Sequence, residues 1–233
     1  MTLARRLTAE FIGTALLVCA VVGSGIMGAR LAGGNAAIAL LANTAATAAT
    51  LAALILTFGP ISGAHFNPAV TLADASQGGL SWRAASSYLA AQVAGGVCGA
   101  LVAHLMFGEA LIQFSQQART GAAQAFSEFV ATFGLLAVIW GCLRTRADAV
   151  PLAVGLYIAG AYWFTASTSF ANPAVTIARS LTNTFSGIRP ADAPGFIAAQ
   201  LLGAFAATIL FRWLLPSARR PAADVAIPHE RAS

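Results

Sequence analysis

The chain has 233 residues, of which 58% are hydrophobic and only 9% are charged, and its formal net charge is +5. Its mean hydropathy of +0.75 indicates a membrane protein, because a soluble domain of this length would have almost no polar surface to cover its core. All the positive charge comes from arginine, since the sequence contains no lysine, and nothing in it indicates a nucleic acid partner.

Six stretches are long and apolar enough to cross a bilayer, which takes about 20 apolar residues. They occupy residues 9–27, 36–58, 84–107, 126–143, 151–166 and 195–215. The first stretch follows Arg5 and Arg6 directly, without the small-residue cleavage site of a secretory signal, so it is predicted to be retained. The predicted fold class is an all-α membrane protein with six transmembrane helices.

One pentapeptide, Asn-Pro-Ala-Val-Thr, occurs at 67–71 and again at 172–176. Asn caps helix N-termini and Pro suits the first helical position, so each copy predicts a helix start. Only about two turns follow each start before polar residues intervene, which is too short to span a bilayer. Two half-helices are therefore predicted, and their first residues are Asn67, Pro68 and Ala69 in one and Asn172, Pro173 and Ala174 in the other.

Further segments repeat between the two halves of the chain. Glu10 and Glu128 open the first and fourth spans in similar surroundings, and Gln92 and Gln200 occupy matching places in the third and sixth. Three spans per half is an odd number, so the second half must be inverted relative to the first. Residues 1–215 are predicted to form one transmembrane domain, with repeats at about 1–107 and 124–215 whose half-helices meet near the bilayer centre.

Arginine is distributed unequally over the loops of this six-span arrangement. Nine of the 13 basic residues fall on the side of the N-terminus and four on the other, which predicts that both termini are cytoplasmic. The nine are Arg5, Arg6, Arg83, Arg144, Arg146, Arg212, Arg219, Arg220 and Arg231; the four are Arg30, Arg119, Arg179 and Arg189. Residues 216–233 carry Pro and charge and are predicted to be a disordered cytoplasmic tail.

The chain resembles the major intrinsic protein family of aquaporins and aquaglyceroporins. The resemblance lies in residues 62–71, Ser-Gly-Ala-His-Phe-Asn-Pro-Ala-Val-Thr, in the second Asn-Pro-Ala, and in the paired Glu and Gln segments. The resemblance covers about residues 8–215. It implies an inverted-repeat bundle of six spans and two half-helices, assembled as a homotetramer with one pore per subunit. It also implies a passive channel for small neutral solutes in the inner (plasma) membrane, with no cofactor and no enzymatic activity.

The opposed half-helices are themselves typical of a channel. Opposed half-helix N-termini place two positive dipole ends at the pore centre, which repels cations and protons. There Asn67 and Asn172 add N–H donors for a passing oxygen. The resemblance implies that His65 lies along the pore, and that loop support comes from Glu10, Glu128, Gln92 and Gln200.

The chain departs from its family's pattern after the second motif. Members carry an arginine three residues after the second Asn, where this chain has Val175. Counting from the two motifs gives the predicted selectivity filter as Thr47, Gly160, Ser169 and Val175. This set contains no cation and no large ring, so the filter is predicted to be wider than in water-selective or glycerol-selective members.

Arg179 follows Val175 by one helical turn. It is predicted to line the outer vestibule or, alternatively, to stabilise the half-helix C-terminus and contact headgroups. A similar bacterial branch, with Val in the filter and Arg one turn out, includes aquaglyceroporins associated with arsenic resistance. The resemblance therefore implies arsenite or methylated arsenicals as solutes beside glycerol and water.

Two other classes of function stay open at this point. A secondary active transporter also uses inverted repeats and broken helices, but it needs a coupling-ion site at the midplane, whereas Glu10 and Glu128 stand near the ends of their spans. A membrane enzyme would need a cluster of catalytic or metal-binding residues, and the sequence shows none. Three dispersed cysteines form neither a metal site nor a disulfide framework and are predicted to be small core residues: Cys19, Cys98 and Cys142.

Overall fold

The computed structural model describes residues 1–215, and the predicted tail at 216–233 lies outside the described residues. This part of the chain consists of eight α-helices and one short 3-10 turn, and it contains no strand. Six helical segments are long and apolar enough to cross a membrane, and one of them, Ala147–Phe164, includes the 3-10 turn. The predicted all-α membrane fold is confirmed.

The two halves of the described chain have the same order of helices. Helices α1 to α4 are Leu3–Leu31, Ala36–Ser62, Pro68–Ser76 and Trp82–Phe107; helices α5 to α8 are Ala122–Thr145, Val150–Phe164, Pro173–Arg179 and Ala193–Leu214. Helices α3 and α7, with 9 and 7 residues, are the half-helices. Because each span reverses the direction of the chain, α1 begins and α8 ends on one side of the membrane, called here the terminal side. The opposite side is called the far side.

Local sequence explains where the long helices begin and end. The Asn35 side chain caps α2 by accepting two backbone N–H groups, and Gly63 ends this helix in the left-handed conformation at a φ of 90°. Ser81 caps α4 by accepting one backbone N–H, that of Ala84. Helix α1 begins six residues before the predicted span, because the prediction followed the apolar run whereas the Thr2 cap lies in the polar segment before it.

The long helices cross most closely at glycines, and both halves use the same device. A Cβ at Gly99 of α4 would lie 2.1 Å from the carbonyl oxygen of Ala15 in α1, and Gly95 approaches α1 as closely one turn earlier. In the second half, a Cβ at Gly203 of α8 would lie 2.4 Å from the carbonyl oxygen of Phe129 in α5. Only glycine leaves room for these backbones, so the two pairs are held by close van der Waals packing.

The outward faces of the spans are apolar. Large aliphatic side chains such as Leu56, Leu156 and Ile209 are exposed there. Such faces are suited to lipid or to neighbouring subunits, because lipid tails are as apolar as these side chains. This pattern agrees with a multi-pass membrane protein.

The sequence predicted that the three cysteines are core residues, but none of them lies fully inside the core. Cys19, Cys98 and Cys142 are free thiols and half-buried. Cys19 and Cys142 pack against the edge of the core cluster, since their small side chains sit on helix faces that turn partly outward.

Candidate functional site

The two Asn-Pro-Ala starts meet inside the bundle. Asn67 Nδ2 donates to the carbonyl oxygen of Ala171 at 2.7 Å, and Asn172 Nδ2 donates to the carbonyl oxygen of Phe66 at 2.8 Å. The Oδ1 atom of each asparagine accepts a backbone N–H of its own half-helix. The exchange is reciprocal, so the start of each half-helix is held by the loop of the other half.

Each asparagine keeps one donor for the cavity that both of them line. An amide nitrogen carries two N–H groups, and each Nδ2 forms a single bond within residues 1–215. The second N–H is therefore available to a solute oxygen. The N-termini of α3 and α7 each add about half a positive charge, so the centre of the cavity favours oxygen acceptors over cations.

Replacing either asparagine with aspartate is expected to weaken ion exclusion. Asn67→Asp exchanges a donor for a negatively charged acceptor that faces the Ala171 carbonyl oxygen, and Asn172→Asp does the same in the other half. We expect a proton leak clearly above wild type in proteoliposomes that contain a pH-sensitive dye, or loss of folded protein by circular dichroism. Asn35→Asp is the control, because it changes an exposed helix cap to an equally good one. Two folded, ion-tight variants would contradict the role given to the pair.

A buried carboxylate holds each re-entrant loop. Glu10 accepts two successive backbone N–H groups of the first loop at 3.0 and 2.7 Å, and Glu128 accepts two of the second loop, both at 2.9 Å. Both side chains are fully buried, and neither lines the cavity. The donors are His65 and Phe66 for Glu10, and Phe170 and Ala171 for Glu128.

These loops have backbone conformations that need support. Phe66 and Ala171 have φ values of 48° and 49°, in the left-handed region that residues other than glycine rarely adopt. Gln92 donates through Nε2 to the first carboxylate at 2.8 Å and to the motif's threonine hydroxyl at 2.9 Å. Gln200 makes the matching bonds in the second half at 2.6 and 2.9 Å. Each loop is therefore bound to two long helices.

A cavity of about 70 Å³ extends along the contact between the halves, past both asparagines. Its walls are mostly aliphatic, with Leu17, Val21 and Leu135 among them, and no carboxylate of residues 1–215 lines it. His65 lines it on the terminal side, and its Nδ1 lies 3.0 Å from the Thr71 hydroxyl. Within residues 1–215 no group of three His, Cys, Asp or Glu side chains is placed to hold a metal ion.

Three of the four predicted filter residues line this cavity on the far side, and the fourth does not. Thr47, Ser169 and Val175 contribute to its wall. Gly160 is exposed on the outward face of α6, where an added Cβ would meet nothing closer than a ring atom of Phe164 at 4.0 Å. The prediction for Gly160 is therefore wrong, because this residue lies on the face of α6 that turns away from the cavity.

Tyr162 takes the place in the cavity wall that was predicted for Gly160. Two residues along a helix turn the side chain by about 200°, from the outward to the inward face. The Tyr162 hydroxyl lies 3.4 Å from Thr47 Oγ1, so the ring joins α6 to α2 across the far side of the cavity. The prediction of a filter without a large ring is wrong here. The spacing of Val154, Ile158 and Tyr162 at every fourth residue is the pattern that could have identified this face.

Arg179 lines the cavity one turn beyond Val175. It is 2% exposed, its Nε donates to the carbonyl oxygen of Ser186, and its guanidinium carbon lies 3.4 Å from the centroid of the Phe170 ring. These contacts fix the guanidinium in one place. The alternative, a contact with membrane headgroups, does not agree with this burial.

A second arginine, Arg119, reaches the same ring from the loop between α4 and α5. Its guanidinium carbon lies 5.0 Å from the Phe170 centroid, and it donates to the carbonyl oxygens of Gly187 and Ser167. Burial lowers the pKa of the Arg119 guanidinium below its usual value, and the nearby Glu128 offsets only part of this effect. The sequence offered no sign of this contact, since Arg119 is far along the chain from both motifs.

Comparisons with known proteins agree with this geometry. The family model described as "Major intrinsic protein" matches residues 1–162 and 143–232. "Aquaglyceroporin AqpS" of Rhizobium meliloti (strain 1021) is 58% identical over 217 residues, which cover 93% of each chain. "Probable aquaporin AqpM" of Archaeoglobus fulgidus is 32% identical, over 92% of this chain and 98% of its own length.

Among solved structures, the aquaglyceroporin from Plasmodium falciparum superposes with a TM-score of 0.68. It covers 97% of this chain and 100% of its own at 20% identity, which shows the fold alone. The matching family model and the relatives extend the likeness to nearly the whole sequence. Such channels carry small neutral solutes passively and are not enzymes. The chain therefore belongs to the major intrinsic protein family.

Proposed function

We propose that the cavity past Asn67 and Asn172 is the conduction path of this channel. The observation that carries the proposal is a pair of fixed amide donors, each with one N–H left for a solute, in a cavity with aliphatic walls and no carboxylate. A solute that has both oxygen and carbon surface can bond to the donors while it contacts the apolar wall. Cations are repelled there by the positive N-terminal ends of α3 and α7.

The constriction in this proposal is formed on the far side by Thr47, Tyr162, Ser169 and Val175. No arginine belongs to this set, so passage depends on shape and apolar contact more than on matched charge. We infer that the solutes are glycerol and water together with arsenite or methylated arsenicals. Support comes from Val175 at the place of the family's arginine, and from the name aquaglyceroporin that the 58% identical relative carries.

The proposed location and assembly rest on the distribution of arginine over the loops and on the apolar outward faces of the spans. We infer that the chain spans an inner (plasma) membrane with both termini cytoplasmic, because arginine is enriched in the loops of the terminal side. We infer a homotetramer with one pore in each subunit, and residues 1–215 as the single channel unit. The apolar outward faces of the spans are suited to such subunit contacts.

Flux through the protein is expected to be linear in the solute gradient and indifferent to ionophores. Every carboxylate oxygen of Glu10 and Glu128 is bonded within the protein, so neither acid is free to bind a coupling ion. The test is a proteoliposome panel of water, glycerol, urea, arsenite and methylated arsenicals, with protein-free liposomes as control. Saturable uptake that follows a proton gradient would instead identify a secondary transporter.

A further inference from the structure

We propose that Arg179 and Ser169 form a subsite for a small oxyacid on the far side of the cavity. The ligand is a molecule with two oxygens on one central atom and small apolar groups on the rest, bound as its singly charged conjugate base or as the neutral acid. The subsite holds the two oxygens before the solute passes Val175. The proposal rests on the proposed function, because it takes the cavity as the conduction path.

The first observation is the guanidinium of Arg179. Its Nε bond to Ser186 and its contact with the Phe170 ring fix it, whereas its two Nη groups form no hydrogen bond within residues 1–215. The ion pairs in that part of the chain do not involve it. The side chain lines the cavity, and its planar fork of donors matches the two oxygens of an oxyacid.

The second observation is independent of the arginine. Ser169 is 2% exposed, lines the same cavity, and its Oγ has no hydrogen-bond partner among the described residues. A buried hydroxyl without a partner is uncommon in a folded protein. The Arg179 guanidinium lies on the ring of Phe170, and Ser169 is the residue directly before Phe170. The unpaired hydroxyl and the unpaired Nη groups therefore belong to one region of the cavity wall.

The surrounding charge favours an oxyacid over a polyol. Arg119 lies against the same Phe170 ring, and among the described residues no carboxylate lines the cavity to compete with a ligand. Glu128 is close enough to influence both arginines, but its oxygens are occupied by the re-entrant loop and Gln200. Beyond the subsite the wall is apolar at Val175. A ligand with charged oxygens at one end and methyl groups at the other therefore matches both parts.

A pair of probes with the same shape tests the charge requirement. Dimethylphosphinate carries two oxygens, two methyl groups and one negative charge, and dimethyl sulfone has the same groups without the charge. Each is added on both sides of proteoliposomes, since reconstitution gives both orientations, and glycerol flux is measured by light scattering. We expect saturable inhibition by dimethylphosphinate at a concentration about tenfold below that needed for dimethyl sulfone. Equal inhibition by the two, or none by either, would overturn the subsite.

Variants of the two residues locate the effect. Arg179→Gln is expected to raise the half-inhibitory concentration of dimethylphosphinate about tenfold, and Ser169→Ala about threefold. Arg30→Gln is the matched control: it removes another far-side arginine, one that is exposed and paired with Glu109. If dimethylphosphinate inhibits both subsite variants at the same concentration at which it inhibits the wild type, the proposal is contradicted. If Arg179→Gln does not fold by size-exclusion chromatography, Ser169→Ala decides.

A binding measurement separates this proposal from the proposed function. Isothermal titration calorimetry of the detergent-solubilised full chain detects dimethylphosphinate whether or not the protein conducts glycerol. Binding to wild type that Ser169→Ala weakens, in a protein that passes no glycerol, would retain the subsite and overturn the conduction path. Glycerol flux in a protein that does not bind dimethylphosphinate would retain the conduction path and overturn the subsite.

Discussion

Glu128→Leu is expected to lower the melting temperature by about 10 °C or to prevent folding. The change leaves two backbone N–H groups of the second re-entrant loop and one of the two N–H groups of the Gln200 amide without an acceptor in the bilayer interior. Each such group costs about 1–3 kcal/mol, so a total of about 4 kcal/mol is expected, which corresponds to about 10 °C in a chain of this length. Differential scanning fluorimetry in detergent measures the change.

Two further variants make this test specific. Glu10→Leu is expected to have at least the same effect, because its carboxylate accepts bonds from the first loop and also from Ser62. Glu109→Gln is the control, since that acid forms an ion pair on the surface whose removal costs about 0–1 kcal/mol. A Glu128→Leu protein with wild-type melting and flux would show that the carboxylate does not hold the loop.

Val175→Arg is expected to reduce the passage of methylated arsenicals at least tenfold while water still passes. Val175 is buried in the cavity wall, with the Thr47 and Tyr162 pair on the same side of the membrane. An arginine there narrows the path and adds a second cation one turn from Arg179, where like charges repel. A tenfold change corresponds to about 1.4 kcal/mol in the barrier, a modest effect for a charged side chain in a narrow pore. Stopped-flow light scattering for water and uptake assays for the arsenicals measure the two effects.

Val175→Leu separates size from charge in this experiment. Leucine adds volume without a cation or donors, so it is expected to reduce passage of the larger solutes less than arginine does. Equal passage of bulky solutes by wild type and Val175→Arg would show that this position does not limit the path. If the wild type excludes every solute larger than water, the proposal that it carries glycerol and arsenicals is also contradicted.

Much of the architecture could be predicted because it depends on local patterns. Apolar runs located the six spans, and the Asn-Pro pairs located the starts of both half-helices, since capping and the first helical turn are encoded within a few residues. Three spans per half then required the inversion that brings Asn67 and Asn172 together. The partners of the two asparagine side chains, the carbonyl oxygens of Phe66 and Ala171, depend on left-handed loop conformations that the sequence does not reveal.

The filter was harder to predict, because its residues come from separate helices and a loop. Placing Gly160 required the exact length of the loop before the second motif, and an error of two residues exchanges the outward face of α6 for the inward one. His104 also gave no sign of a role, yet it is fully buried and bonds to the Leu111 carbonyl oxygen and the Thr182 hydroxyl, which attaches the loop after α4 to the region beyond α7. Contacts between segments so distant in the chain follow from the tertiary structure alone.

The reciprocal bonds of Asn67 and Asn172 relate the two halves of the chain by symmetry. Each half gives the other one amide donor and receives one at a carbonyl oxygen, so the contact is isologous, as in a two-fold symmetric dimer. The glycine crossings of α1 with α4 and of α5 with α8 are the same contact repeated within each half. Two copies of a single half-length polypeptide, inserted in opposite orientations, would satisfy all of these contacts without a covalent link. The central geometry is thus that of a dual-topology homodimer within one chain, and its symmetry is broken at the outer end of α7, where Arg179 has no basic counterpart in the first half-helix.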